Sequence, residues 1–284
     1  MIISIVSGKG GTGKTTIATN FALSMVNIQF IDCNVEEPNA NIFLKSDIFE
    51  RDDVNIEIPY IDKEKCNYCG KCADFCMYNA LDVVHSDILF YPELCHSCGG
   101  CELVCPVEAI GCEYRTIGRV EHGSVGKIDF YQGILNVGEV QALPLIRSLK
   151  TKIDKNRDVI IDTSSGTSCN VIESINMSDY CIIVTEPNPF SFHDLGRIVE
   201  VLKYIGIPFG VIINRDGNDY KKVETFCSHE KIPVLLKIPN QKEIAELYSQ
   251  GKPFVNRFPS WREEFSIVFE KIRRGLRNET TYTY

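Results

Sequence analysis

Eight of the thirteen cysteines fall in two runs of one spacing. These are Cys66-x2-Cys69-x2-Cys72-x3-Cys76 and Cys95-x2-Cys98-x2-Cys101-x3-Cys105, the second followed by Pro106. A cuboidal [4Fe–4S] cluster needs four thiolates converging from different directions. A C-x2-C-x2-C turn aims three of them, and in this motif the fourth comes from the other run. The expected sets are therefore Cys66, Cys69, Cys72 and Cys105 on one cluster and Cys76, Cys95, Cys98 and Cys101 on a second. Two four-cysteine zinc sites are the competing reading, but zinc ribbons favour paired C-x2-C knuckles over a run of this form made twice. The runs belong to a duplication of about 29 residues, Cys66 to Ala80-Leu81 and Cys95 to Ala109-Ile110. Met77 stands where Pro106 stands in the second copy, and His96 lies between two ligands as a loop residue.

A second chemistry-bearing stretch is Gly8-Lys9-Gly10-Gly11-Thr12-Gly13-Lys14-Thr15. It satisfies G-x-x-x-x-G-K-[ST], a phosphate loop, and also G-x-G-x-x-G, a dinucleotide loop with Asp32 near the place of a ribose-binding acid. Lys14-Thr15 decides between them. A phosphate loop needs glycines whose backbone N–H groups wrap the phosphates, a lysine for the β and γ oxygens, and a hydroxyl for Mg²⁺. The expected nucleotide contacts run from Gly8 through Thr16, with Mg²⁺ on Thr15 and on Asp162, the acid ending a distal strand.

These residues need elements to hold them. The chain reads as a strand at 2–7, the glycine loop, a helix from 14 to about 26 and a strand at 28–32. Further strands are expected at 54–59, 158–161, 180–185, 208–213 and 234–238, with helices near 138–152, 192–204 and 221–229. Alternating strands and helices, with near-continuous apolar strands, imply an α/β fold with a mainly parallel sheet. The stretch 60–115 breaks the rhythm, so it is expected as a small inserted α+β domain between two parts, 1–59 and 116–284, of one P-loop domain.

The loop GKGGTGKT, with its early Lys9, resembles the deviant Walker A of the MinD, ParA, Mrp and nitrogenase iron protein superfamily. The resemblance continues through Ile31 to Asn39 as switch I, Asp162 to Gly166 as switch II, Val184-Thr185-Glu186-Pro187 and Ile213-Asn214-Arg215. It implies an ATPase in which Lys9 reaches the partner subunit's nucleotide, with Lys14, Asp32 and Asp162 as catalytic residues. It also implies that Asn214 and Pro239 hold the adenine. Relatives often carry an acid at Asn34 and prolines at Ser164-Ser165. An amide orients a water without accepting its proton, so hydrolysis is expected to be slow or partner-dependent. The insert itself resembles the bacterial two-cluster ferredoxins.

The implied activity is a homodimer, or a heterodimer with a similar ATPase, in which ATP and Mg²⁺ gate electron transfer from two [4Fe–4S] clusters to a redox partner. A cluster or metallocofactor carrier is the second reading, although the C-terminal C-x-x-C of Mrp relatives is absent. A redox-sensing positioning switch is the third. Cys169 lies seven residues after Asp162, as does the bridging cysteine of the nitrogenase iron protein, so a shared third cluster is a subordinate expectation.

A formal charge of −8 argues against a nucleic-acid surface, and no apolar run approaches a membrane span. The N-terminus lacks a signal peptide's basic region, so a cytoplasmic protein is expected, where cysteine-rich segments mean metal or redox chemistry rather than disulfides. Cys181, in an apolar strand, is expected in the core. Residues Trp261, Phe265, Val268, Phe269, Ile272 and Leu276 keep helical spacing and are expected to dock on the chain's own sheet rather than on a membrane. The tail 278–284 is expected to fray, and His85, His122, His193 and His229 form no ligand pattern.

Overall fold

Runs such as Ile28-Gln29-Phe30-Ile31 leave no polar face, so they fold as strands covered on both sides. A computed structural model describes residues 1–217 and 220–280, the side chains of 278–280 excepted. Its strands are β1 (Ile2–Val6), β2 (Ile28–Asp32), β3 (Asp47–Ile61), β4 (Leu81–Val84), β5 (Asp87–Phe90) and β6 (Ile110–Val125). They continue as β7 (Ile128–Leu135), β8 (Asp158–Asp162), β9 (Tyr180–Thr185), β10 (Phe209–Asp216) and β11 (Val234–Pro239). The helices are α1 (Lys14–Leu23), α2 (Ala40–Leu44), α3 (Lys71–Phe75), α4 (Gly100–Leu103) and α5 (Leu143–Thr151). After these come α6 (Cys169–Ile175), α7 (Pro189–Ile205), α8 (Lys222–His229), α9 (Lys242–Ser249) and α10 (Ser260–Thr280).

The main sheet runs β11-β10-β9-β1-β8-β2-β7-β6-β3. It is parallel from β11 to β7, as the strand–helix alternation requires, and antiparallel through β6 and β3 at one edge. Alternate residues of a strand serve opposite layers. In β9, Tyr180, Ile182 and Val184 face the core shared with α1 and α10, whereas Cys181 and Ile183 face α7 and α8. Cys181 is thus a core thiol, pushed up to about 12 by burial.

Several elements differ from the sequence expectation, among them β6, α2, α6 and α9, which it did not include. The strand expected at 54–59 is the fifteen-residue β3, paired with β6 from Asp47↔Ser124 to Ile61↔Ile110. Its first half, Asp47 to Asp53, is acidic and reads as a loop. It forms a strand because an edge strand keeps solvent on one side. Strand β7 was not anticipated, because its Gln132 and Gly133 interrupt the apolar pattern. The helix expected from 138 starts at Leu143, with Pro144 in its first turn, where a missing N–H costs nothing.

Helix α10 buries Phe265, Val268, Phe269 and Ile272, and Phe265 meets Phe21 of α1 edge-on at 5.6 Å. Its apolar stripe is therefore spent on the chain's own core. It continues to Thr280, through the start of the stretch expected to fray, and 281–284 lie outside the described residues. Among the described residues no helix is long and apolar enough to cross a membrane.

Candidate functional site

The glycine loop joins β1 to α1 at the end of the sheet where Asp32 and Asp162 also finish, on adjacent parallel strands in register. Gly13 caps α1 with a left-handed φ of 87°, and a Cβ there would lie 2.3 Å from Asn214 Nδ2. Gly8 is fixed by a close approach instead, since its Cβ would fall 2.3 Å from the Asp194 carbonyl oxygen. Glycine is required at both positions, for different reasons.

Lys14 Nζ donates to Asp162 Oδ1 at 2.7 Å, and both side chains are buried. The other oxygen, Asp162 Oδ2, is buried without a partner, as are the hydroxyls of Thr12 and Ser164. Unpaired buried oxygens are costly, so their concentration around the loop marks a place prepared for a ligand. A cation beside Asp162 and a phosphate beside Thr12 suit that donor set. Asp32 is wholly buried and accepts from the Asn34 amide at 3.0 Å and the Ala40 amide at 3.1 Å. Burial, reinforced by the neighbouring Asp162 charge, raises its pKa to about 7. The Asn34 side chain donates to the Glu37 carbonyl at 2.7 Å, a bond an aspartate could not make.

The segment from Asp162 to Gly166 is tied to the loop by Gly166 N–H donating to the Ser7 carbonyl at 2.8 Å. A cavity of about 70 Å³ lies beside α1, walled by Thr16, Asn214, Pro239, Ile244, Tyr248 and Phe254. Asn214 reaches back to donate to the Thr12 carbonyl at 2.9 Å. Lys9 Nζ stands 5.9 Å from the ring centroid of Phe190, an exposed residue in the first turn of α7. Thr15, at the start of α1, sits one residue beyond Lys14 on the same turn.

The duplication of 66–81 in 95–110 extends to the backbone. Tyr68 and Ser97, Gly70 and Gly99, and Asn79 and Glu108 are paired left-handed positions, with φ of 55° and 54°, 78° and 70°, and 51° and 49°. The Ala80 amide donates to Cys76 Sγ at 3.3 Å, and its counterpart Ala109 donates to Cys105 Sγ at 3.2 Å. One cavity, of about 180 Å³, is lined by Cys76, Cys95, Cys98, Cys101 and also Cys112, and a tighter one, of about 10 Å³, by Cys66, Cys69, Cys72 and Cys105. Among the described residues, no three or more His, Cys, Asp or Glu side chains are gathered to hold a single metal ion. The thiols are spread around two cavities instead of closed on a point. Burial pushes the Cys72 and Cys95 thiols up, and Cys101 to about 11, so a soft metal centre entering here would displace protons.

Comparison with known proteins places the nucleotide end in context. The model of the CobQ/CobB/MinD/ParA nucleotide-binding domain matches residues 3–254. The chain belongs to this family. A relative from Methanocaldococcus jannaschii, the uncharacterized protein MJ0579, is 32% identical over 262 residues, covering 90% of this chain and 91% of that one. The septum site-determining protein MinD of Pyrococcus horikoshii, solved with Mg-ADP, shares the fold with a TM-score of 0.57, 22% identity and 95% coverage of each chain. Over 55 residues the chain is 40% identical to the pyruvate synthase subunit PorD of Methanothermobacter marburgensis, covering 19% of this chain and 64% of that one.

Several contacts of this MinD/ParA-family chain carry no sequence signal. Gln141 Nε2 donates to the Cys95 carbonyl, and Arg115 pairs with the buried Glu139. His96 stacks on Tyr78 with centroids 3.6 Å apart, joining the two copies of the duplication. Cys169 is exposed at the start of α6, and Cys33 and Cys227 are buried. Of the histidines given no role, His122 is held between Glu50 at 3.1 Å and Asp129 at 2.7 Å.

Proposed function

We propose that this chain is a MinD-type ATP-binding protein carrying two [4Fe–4S] clusters, in which nucleotide binding, hydrolysis and dimer closure gate electron transfer to a protein partner. The observation that supports the reading is a pair of cysteine-lined cavities, one with Cys66, Cys69, Cys72 and Cys105 and one with Cys76, Cys95, Cys98, Cys101 and Cys112, in a chain of a nucleotide-binding family. The 55-residue likeness to a pyruvate synthase subunit adds support. In this reading 60–115 is an inserted ferredoxin-like domain and the rest is the ATPase domain.

Cys66, Cys69, Cys72 and Cys105 hold one cluster, and Cys76, Cys95, Cys98 and Cys101 the other. When bound, each cluster supplies a one-electron store whose potential is set by hydrogen bonds and solvent access. The amides of Ala80 and Ala109 supply two such hydrogen bonds. At the other end, backbone amides of Gly8 to Thr16 wrap the phosphates and Lys14 leaves Asp162 for them. Thr15 and Asp162 then hold Mg²⁺, while Asn214 and Pro239 flank the base. Asp32 at a pKa near neutrality is suited to taking a proton from an attacking water, and Asn34 orients that water. Lys9 exchanges its place over Phe190 for the partner subunit's nucleotide, so closure needs a second ATPase chain, the same or similar. The γ-phosphate orders both switches, and closure changes what the insert presents. Nine acids against four bases over 60–115 suit a basic partner surface.

The test is an iron and sulfide count on anaerobically purified protein, followed by redox titration with and without ATP. About eight irons per chain are expected, with an ATP-dependent shift in cluster potential; about ten would point to a third cluster at Cys169. If ATP changes neither the potential nor the reduction of a partner, the coupling fails.

A further inference from the structure

Building on the cluster reading above, we infer that nucleotide state reaches the second cysteine set, lined by Cys76 and Cys95, and not the first, with Gln141 as the positioning residue that completes the link. The packing of the two sets differs. Cys95 and Ala80, with Cys76 against them, belong to one continuous core that also contains Cys33 and Val35 of switch I. Cys66, Cys72 and Cys105 pack instead with a small core of Leu81, Ile88 and Ile110, which Cys101 of the second set also touches and which meets the larger core only at Phe90.

The route through the shared core is made of close contacts. Switch I is fastened to the catalytic strand by the Cys33 amide on the Asp162 carbonyl, 2.8 Å, and to β7 by the Leu135 amide on the Val35 carbonyl, 3.0 Å. Val35 sits over Gly133, where a Cβ would lie 2.6 Å from its Cγ1 and 2.9 Å from Leu149 Cδ1. Leu145 is pressed in the same way onto Gly118, with 3.0 Å to a Cβ built there. Two glycines in the sheet thus let α5 seat directly behind switch I. At the front of α5, buried Ala142 packs in the same core, and its neighbour Gln141 donates to the Cys95 carbonyl. The loop before it is braced, because Glu139 pairs with Arg115 and accepts from the amides of Val140 and Gln141 at 3.0 Å each. A displacement of Val35 has no slack in which to dissipate before reaching Cys95, since packed cores switch rather than deform smoothly. Among the described residues the hydrogen bond from Gln141 ends on Cys95 and has no counterpart at Cys66 or Cys69, so the polar link bears on the second set.

The test is backbone hydrogen exchange of the full chain with and without Mg-ATP, in wild type and Gln141→Ala. The expected result is that ATP slows exchange across 95–98 by about threefold or more while leaving 66–72 unchanged, and that Gln141→Ala abolishes the effect at 95–98 but keeps the slowing at 8–15. In the cluster-loaded protein, EPR-monitored titration should show ATP shifting one of the two couples, with that shift lost in Gln141→Ala. Equal slowing at 66–72, or an ATP effect at 95–98 that survives Gln141→Ala, overturns the inference. Because the exchange arm needs no cluster, iron far below about eight per chain removes only the cluster reading, and full iron with a flat exchange pattern removes only this one.

Discussion

The nucleotide end and the cysteine segment are built by opposite means. At the first, buried parallel strands bring Asp32 and Asp162 side by side, and Lys14 already neutralises one of them. The geometry of that scaffold is fixed by the sheet itself. In the second, helices α3 and α4 span five and four residues and the private core is Leu81, Ile88, Ile110 and Cys72. So small a core is normally stapled by disulfides or metal. The difference teaches that one region shapes its ligand site by folding, while the other is expected to fold around its ligand.

Removing the metal is the strongest way to break this contrast. Stripping iron with a chelator should open 62–109 to protease and leave nucleotide binding intact, since metal binding supplies of order 10 kcal/mol where it folds a small domain. Cys72→Ala is the milder form, lowering iron from about eight to about four per chain. Next comes Lys14→Ala, which leaves Asp162 buried and unpaired. It should cost about 3–5 kcal/mol in urea unfolding and weaken ATP binding roughly 100-fold, with iron content unchanged.

The pH dependence of stability follows in size. Asp32 rises from 3.8 to about 7 on folding, so between those values the folded chain keeps a proton that the unfolded chain has released. Stability from this group is therefore greatest at acid pH, declines as pH rises through that window and is flat above it. Denaturant midpoints for Asp32→Asn should lose this decline. The smallest effect expected is on turnover: Asn34→Asp, measured by phosphate release, should raise the rate about tenfold. A fall instead would show that the amide's bond to the Glu37 carbonyl matters more than the missing base.

The two regions were also unequally legible. The phosphate loop, the acids at 32 and 162 and the cysteine spacing are local patterns, written in consecutive residues. The apolar stripe of α10 foretold its burial. What stayed hidden depends on partners far away in the chain. Asp47 to Asp53 gave no strand signal because its faces are polar, and pairing with β6 alone makes it one. Gln141 and Glu139 look like ordinary loop residues, and their meaning lies in Cys95 and Arg115, which only tertiary structure brings near.

The ribbon of β3 and β6 has a mechanical consequence. Beyond Gly118, β7 no longer pairs with β6, so seven residue pairs, Asn55↔Thr116 to Ile61↔Ile110, run on as a two-stranded arm. The register slips between Val54 and Asn55, at the root of that arm, where such irregularities bend a strand. Seven residues at about 3.3 Å each make a lever of roughly 20 Å, so turning its root by about 10° swings the far end by about 4 Å. The helix seated on Gly118 and Gly133 presses close to that root. A turn at that root would swing both cysteine sets together as one body, a motion distinct from the Gln141 contact, which bears on Cys95 alone.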